Sequence, residues 1–242
     1  MNKIFEILNK YYGYNSFRKG QYEIISNILR GRDSFCILPT GAGKSICYQI
    51  PALMFNGITI VISPLISLMK DQVDNLNSNG INARYINSTQ KLEVSDEIIE
   101  LCKKGEVKLL YIAPEKLENE FFKRKLRLLN ISQIAIDEAH CVSMWGHDFR
   151  KSYGLIAEFI DNLRIRPVVT AFTATATEVV RKDVINLLKL RNPYIYIGSF
   201  DRENLEIKLY IEEDKLELVK DIIREREGEA GIIYCATRKE VD

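Results

Sequence analysis

The run Leu38-Pro39-Thr40-Gly41-Ala42-Gly43-Lys44-Ser45 carries the parts of a phosphate site. Two glycines around one alanine let the backbone turn through positive φ and aim consecutive N–H groups at a single anion. Lys44 adds a point charge on a long stem, and the Ser45 hydroxyl is a hard oxygen ligand of the kind Mg²⁺ accepts. The general pattern asks for Gly, four residues, then Gly-Lys-Ser or Gly-Lys-Thr. Leu38 stands where the leading glycine belongs, yet the anion-binding part is intact. Alone, the run could be a chance Gly-Lys-Ser in a strand-to-helix turn. A second feature argues against that. Gln133-Ile134-Ala135-Ile136 is followed by Asp137-Glu138, a carboxylate pair at the end of a buried run. Such acids can simply cap a helix. Paired with a phosphate loop they read as an ATP–Mg²⁺ site, with Asp137 holding the metal through water and Glu138 orienting and deprotonating the attacking water. In this reading Lys44, Asp137 and Glu138 are catalytic. Thr40, Gly41, Ala42, Gly43, Lys44 and Ser45 cradle the phosphates, and Ser45 and Asp137 take Mg²⁺.

A third cluster lies just downstream. Trp145 is the only tryptophan among 242 residues, and both histidines, His140 and His147, fall within the same stretch as Phe149 and Arg150. Aromatic faces stack on unpaired bases without choosing among them, and Arg150 can meet a phosphate or stack. By itself, an aromatic residue after a strand is more often core.

Groups so far apart in sequence need a scaffold that brings strand ends together. Short β-branched runs recur at 34–38, 58–63, 83–86, 108–112, 133–137, 168–173 and 194–197. Segments with apolar spacing near 3.6 lie between several of them, as at 67–76, 95–102, 152–163 and 177–190. Apolar strands alternating with helices predict an α/β fold, a mostly parallel sheet with helices on both faces, whose ligands bind beyond the carboxyl ends of the strands. A second unit is expected after residue 200: 205–211 alternates like a strand, 215–225 reads as a helix and 231–235 as a buried strand. The expected division is therefore 1–200 and 201–242.

Composition narrows the class. The chain is 46% hydrophobic and 28% charged with a net charge of +1, so any basic surface must be local. The five cysteines are scattered and form no CxxC pair, which argues against a disulfide framework or a zinc site. No signal peptide or membrane-spanning run is evident, and a cytoplasmic protein is expected, nucleoid-associated if bacterial.

Taken together, the motifs resemble those of the RecQ family of DNA helicases. Asp137-Glu138-Ala139-His140 is similar to the DEAH form of motif II in superfamily 2 helicases, and the Lys44 loop to motif I, which tolerates a non-glycine at its leading position. Residues 12–21 resemble motif 0, 61–73 motif Ia, 111–117 motif Ib and 171–184 motif III. Residues 199–205 resemble the entry to a second RecA-like domain, and 231–242 the beginning of motif IV. The resemblance implies a RecA-like P-loop NTPase domain over 1–200, the start of a second RecA-like domain over 201–242, and ATP-dependent 3′-to-5′ DNA unwinding in repair and recombination. It implies ATP and Mg²⁺ as cofactors, DNA as partner (single strands and duplex junctions) and no membrane; the sequence leaves the oligomeric state open, and a monomer is assumed. Tyr14 would stack on adenine, Gln21 would read its edge through two hydrogen bonds, and Arg18 would sit beside the base. If this segment were helical, the three would share a face; a merely wet helix face is the alternative. His140, Trp145, His147, Phe149 and Arg150 would couple DNA contact to hydrolysis. Met144 and Lys151 depart from the family's usual polar residue and proline. Lys70 and Arg181 could touch the DNA backbone or lie on solvated faces. Because motifs V and VI, with their arginine finger, are not in these 242 residues, little turnover is expected from them alone. A nucleotide-binding module without turnover and, less well supported, an RNA helicase are the alternatives.

Overall fold

A computed structural model describes residues 3–146, 148–199, 205–211 and 214–237. The chain divides into two compact units, Met1–Phe200 and Asp201–Asp242. In the first, β1 (Ser34–Ile37), β2 (Ile58–Ile62), β3 (Ala83–Ile86), β4 (Leu109–Ile112), β5 (Ile131–Ile136), β6 (Val168–Thr173) and β7 (Tyr194–Ile197) form one sheet in the order β3-β4-β2-β5-β6-β1-β7. Every described pairing is parallel.

Alternate residues of the inner strands feed two different cores, which is why those strands read as apolar throughout, while the edge strand β7 packs Tyr194 and Tyr196 on one core and exposes Ile195 and Ile197. On one face Phe35, Ile60, Ile62, Leu110, Ile134 and Ile136 pack with residues of α5 (Leu92–Lys103), α6 (Glu120–Arg127), α7 (Leu155–Asp161) and α8 (Glu178–Leu187). On the other, Cys36, Val61, Leu109, Tyr111, Ala135 and Phe172 pack with α2 (Gln21–Leu29), α3 (Lys44–Met54) and α4 (Ile66–Ser78). A smaller cluster seats α1 (Lys3–Tyr12) against α2 and α3 through Ile4, Ile7, Leu8, Ile25 and Ile50.

Local chemistry moves several boundaries from those expected. Thr177 caps α8 by accepting from the Val180 N–H at 3.3 Å, and the helix stops at Leu187 because Lys189 turns left-handed at φ 50°. Lys151–Gly154 winds as a 3₁₀ turn ahead of α7, so the expected 152–163 helix is shorter. Residues 14–20 are not helical. Gly13 and Gly20 sit at φ 70° and 84°, ending α1 and starting α2, and only Gln21 of the motif 0 trio is on a helix. The expectation of one shared helical face is corrected accordingly.

The second unit contains α9 (Lys215–Glu225), capped by the Asp214 carboxylate, which accepts from Leu216 and Glu217 N–H at 3.1 Å. The strands expected at 205–211 and 231–235 do not form among the described residues. No described residue of this unit is buried, so no core holds an extended run against a neighbour.

Candidate nucleotide site

The site lies at the carboxyl ends of β1 and β5, which β6 separates in the sheet. From β1 the chain passes into the phosphate loop and then α3, whose first residue is Lys44. Gly41 and Gly43 take φ 81° and 79°, as the sequence requires of them. A Cβ at Gly43 would also stand 2.4 Å from the Gln21 amide nitrogen. The helix N-terminus and the loop N–H groups other than that of Ala42, which donates to Pro39 O at 3.0 Å, are the groups that could cradle an anion here.

From β5 the chain delivers Asp137 and Glu138. The Asp137 N–H donates to Ile62 O at 2.9 Å, and the Tyr153 hydroxyl donates to Asp137 O at 3.0 Å, so its backbone is held on both sides. Its Oδ1 accepts from the Glu138 N–H at 3.0 Å. Burial pushes the Asp137 carboxyl up to about 6; Lys44 opposes that shift and Glu138 adds to it. Lys44 Nζ lies 3.1 Å from Glu138 Oε1, and His140 Nδ1 lies 3.4 Å from Glu138 Oε2 and 2.8 Å from Thr173 Oγ1 at the end of β6. Glu138 therefore bridges the phosphate loop to the strand between.

One cleft of about 390 Å³ joins these groups to the motif 0 segment: Tyr14, Arg18, Gln21, Thr40, Gly41, Gly43, Lys44, Ser45, Asp137 and Glu138 all line it. Ala42 is part of the loop but not of the lining. Sequence reasoning missed Ser16, Ile46, Leu68 and Gln72, which also line it; only Gln72, a polar residue on the core side of an amphipathic helix, left any signal. The Gln21 amide is turned toward the loop. Its Nε2 donates to Ala42 O at 3.2 Å and Gly43 O at 3.1 Å, and its Oε1 accepts from the Arg18 N–H at 2.8 Å. Arg18 donates to Gly41 O.

The donor set suits Mg²⁺–ATP: a hydroxyl, a carboxylate and a cradle open to phosphate oxygens, with no thiolate among the lining residues. Ser45 and Asp137 would hold the metal.

The downstream cluster forms a separate surface. Trp145 is 76% exposed and Phe149 45%, so Trp145 is not a core residue. Trp145 and His140 line a second cavity of about 380 Å³ with Gly146, Thr175, Ala176, Thr177 and Val180. The loop is tethered rather than loose: Ser143 Oγ donates to Asp183 Oδ2 of α8 at 2.6 Å and accepts from the Trp145 N–H at 3.1 Å. Arg150 donates to Pro64 O at 3.2 Å and lies 3.4 Å from Asp148, so here it anchors the loop to the β2–α4 connection. His147 lies outside the described residues. Lys70 is exposed on α4, and Arg181 of α8 lies 4.0 Å from Glu178. Among the described residues no helix is long and apolar enough to cross a membrane.

Comparison with known proteins agrees with this geometry. The chain is 50% identical over 237 residues to the ATP-dependent DNA helicase RecQ of Bacillus subtilis, covering 98% of this chain and 40% of that protein. It is 46% identical over 240 residues to that of Haemophilus influenzae (98% and 38%), and 40% identical over 255 residues to the RecQ-like DNA helicase BLM of Xenopus laevis (99% and 18%). The chain thus spans well under half the length of these relatives. Among solved structures, the helicase MrfA bound to DNA and AMPPNP superposes with a TM-score of 0.66 at 18% identity, over 82% of this chain and 29% of that one. The Pyrococcus furiosus Hef helicase domain superposes at 0.60 and 21% identity, over 77% and 38%. At such identities the likeness is one of fold, and the fold is that of RecA-like helicase domains. The model of the DEAD/DEAH box helicases matches residues 18–183, and the chain belongs to that family.

Proposed function

We propose that this chain is the ATP-binding part of a RecQ-type ATP-dependent DNA helicase that moves 3′ to 5′, with 201–242 opening the second RecA-like domain. The observation that carries the reading is the single cleft in which motif 0, the phosphate loop and the Asp137-Glu138 pair converge. The relatives named as DNA helicases and the exposed Trp145–Phe149 loop support DNA, in single strands and at duplex junctions, as the partner. The 3′-to-5′ polarity is that of the family the motifs resemble. The protein acts on DNA in the cytoplasm or nucleoid.

In this mechanism the Thr40–Ser45 backbone N–H groups other than that of Ala42 receive the β and γ phosphates. Lys44 leaves Glu138 for the phosphates, and Tyr14 and Gln21 take the adenine. Mg²⁺, which Ser45 and Asp137 would hold, would supply neutralisation of the triphosphate charge. With Lys44 gone, Glu138 accepts a proton from water as the water oxygen bonds to the γ phosphorus and the bond to the β-phosphate oxygen breaks, leaving ADP and phosphate. The Trp145 loop leaves the same strand end as Glu138, so base stacking on Trp145 and Phe149 acts on the water-activating carboxylate through His140. The test is ATP turnover with and without single-stranded DNA by a helicase carrying this chain. DNA is expected to stimulate wild type, and Glu138→Gln to lower turnover at least about a hundredfold while ATP still binds. Turnover indifferent to Glu138→Gln would contradict the mechanism.

A further inference from the structure

Trp145 turns most of its indole to solvent, so packing does little to set the direction of the ring. The backbone beneath it is closely held. The Trp145 N–H donates to Ser143 Oγ at 3.1 Å, and the Gly146 N–H donates to Ser143 O at 2.9 Å. A Cβ at Gly146 would stand 2.2 Å from His140 O, so the chain folds back on itself here with no room for a side chain. Both bonds converge on Ser143, which is fully buried. Its hydroxyl donates in turn to Asp183 Oδ2 on α8 at 2.6 Å.

A serine hydroxyl spins about its C–O bond unless its proton has a fixed acceptor. A carboxylate is the strongest acceptor a side chain offers, and here it leaves the Ser143 lone pairs facing the Trp145 N–H. Removing it strands a buried hydroxyl and frees the turn above it. Trp145 and Gly146 also share the cavity of about 380 Å³ with Thr177 and Val180, the cap and first turn of α8. The Ser143–Asp183 bond therefore joins the loop side of that cavity to its helix side and sets how far the indole stands from α8. Asp183 lines no part of the nucleotide cleft, so ATP binding makes no use of it.

We propose that Asp183 is a positioning residue for single-stranded DNA: by holding Ser143 it keeps Trp145 in the turn that offers the indole face to an unpaired base beside α8. The inference rests on the DNA reading of the Trp145 loop. Once released, a loop that keeps this turn only about a third to a tenth of the time binds DNA weaker by the same factor.

The test uses this chain, in which Trp145 is the only tryptophan, so that indole fluorescence reports this loop alone. DNA affinity is read from the anisotropy of a labelled thymidine oligonucleotide, and loop order from the anisotropy of the indole without DNA. ATP affinity and melting temperature are measured beside them. Asp183→Ala and Ser143→Ala should each weaken DNA binding about threefold to tenfold and lower the indole anisotropy. The double variant should be no worse than either single one, because both remove one contact. Asp183→Asn, which keeps an acceptor, should stay within about twofold of wild type. ATP affinity should hold within about twofold in all of them, and melting within a few degrees. Wild-type DNA affinity in Asp183→Ala would overturn the proposal, as would additive losses in the double variant. A parallel loss of DNA affinity, ATP affinity and melting temperature would also overturn it, because Asp183 would then only hold the fold. If Trp145→Ala itself leaves DNA affinity unchanged, the DNA reading of the loop falls, and the proposal with it.

Discussion

Glu138 adopts φ 46° and ψ 49°, a left-handed conformation that a side chain with a Cβ takes at a cost of about 1–3 kcal/mol. That backbone turn lets its carboxylate face Lys44 with one oxygen and His140 with the other. The neighbouring Asp137 has a consequence in pH. Its pKa, raised by burial to about 6, means that protons compete with a cation for this carboxylate in the metal-free protein. The sign follows: Mg²⁺-dependent ATP affinity should rise as pH is raised through about 6, and Asp137→Asn should abolish that dependence. Calorimetry at several pH values checks it; a flat profile between about pH 5 and 7 would speak against Asp137 as ligand. Gln21 sets a second expectation. If it exchanges its bonds to Ala42 and Gly43 for the adenine edge, the wild type should favour ATP over GTP, and Gln21→Ala should erase the preference. Equal losses for both nucleotides would mean that Gln21 holds the loop and does not read the base.

At the scale of elements, Asp33 is the fastening that keeps three strands in register, and it is only 2% exposed. It accepts from Arg166 Nη1 at 3.1 Å and Nη2 at 2.6 Å, from Val169 N–H at 2.9 Å and from Arg191 N–H at 2.7 Å. Asp33→Ala takes from the partly buried Arg166 guanidinium its carboxylate, leaving it only Pro167 O and Lys189 O, and leaves two N–H groups short of partners. It should cost about 3–5 kcal/mol in denaturant unfolding with the cleft chemistry untouched. The sequence offered no hint of this, because a lone aspartate ahead of a strand reads as a turn residue. The bond from Gln49 Nε2 on α3 to Tyr111 Oη in β4 at 3.1 Å was equally hidden: a glutamine on a helix looks like a wet face until the sheet is assembled. The Trp145 loop was legible in part. Its aromatic content was plain, but its tether through Ser143 to Asp183, forty residues on, was not. Since Trp145 is exposed, Trp145→Ala should change stability by less than about 0.5 kcal/mol while weakening single-stranded DNA binding by about 1–3 kcal/mol. Fluorescence anisotropy and melting curves separate that from a packing role.

For the whole molecule, the alternation of apolar strands with helices made the parallel sheet readable, because the inner strands must satisfy a core on both faces. Strand order was not readable, since apolar letters do not say which strand lies beside which. The spacing of Tyr14, Arg18 and Gln21 fits a helical face, but Gly13 and Gly20 break the backbone around residues 14–20, so the condition for a shared face is not met. What the fold does for the site is to bring a loop after β1, an acid pair after β5 and the segment before α2 to one cleft. The most direct test of that convergence is a calorimetric titration of this chain with ATP and Mg²⁺, wild type beside Lys44→Ala. The wild type should bind one ATP, and Lys44→Ala should weaken it at least about tenfold with no change in melting temperature, the loss of a charge on the triphosphate. Equal affinity in the two proteins would contradict the assignment of this cleft as the ATP site.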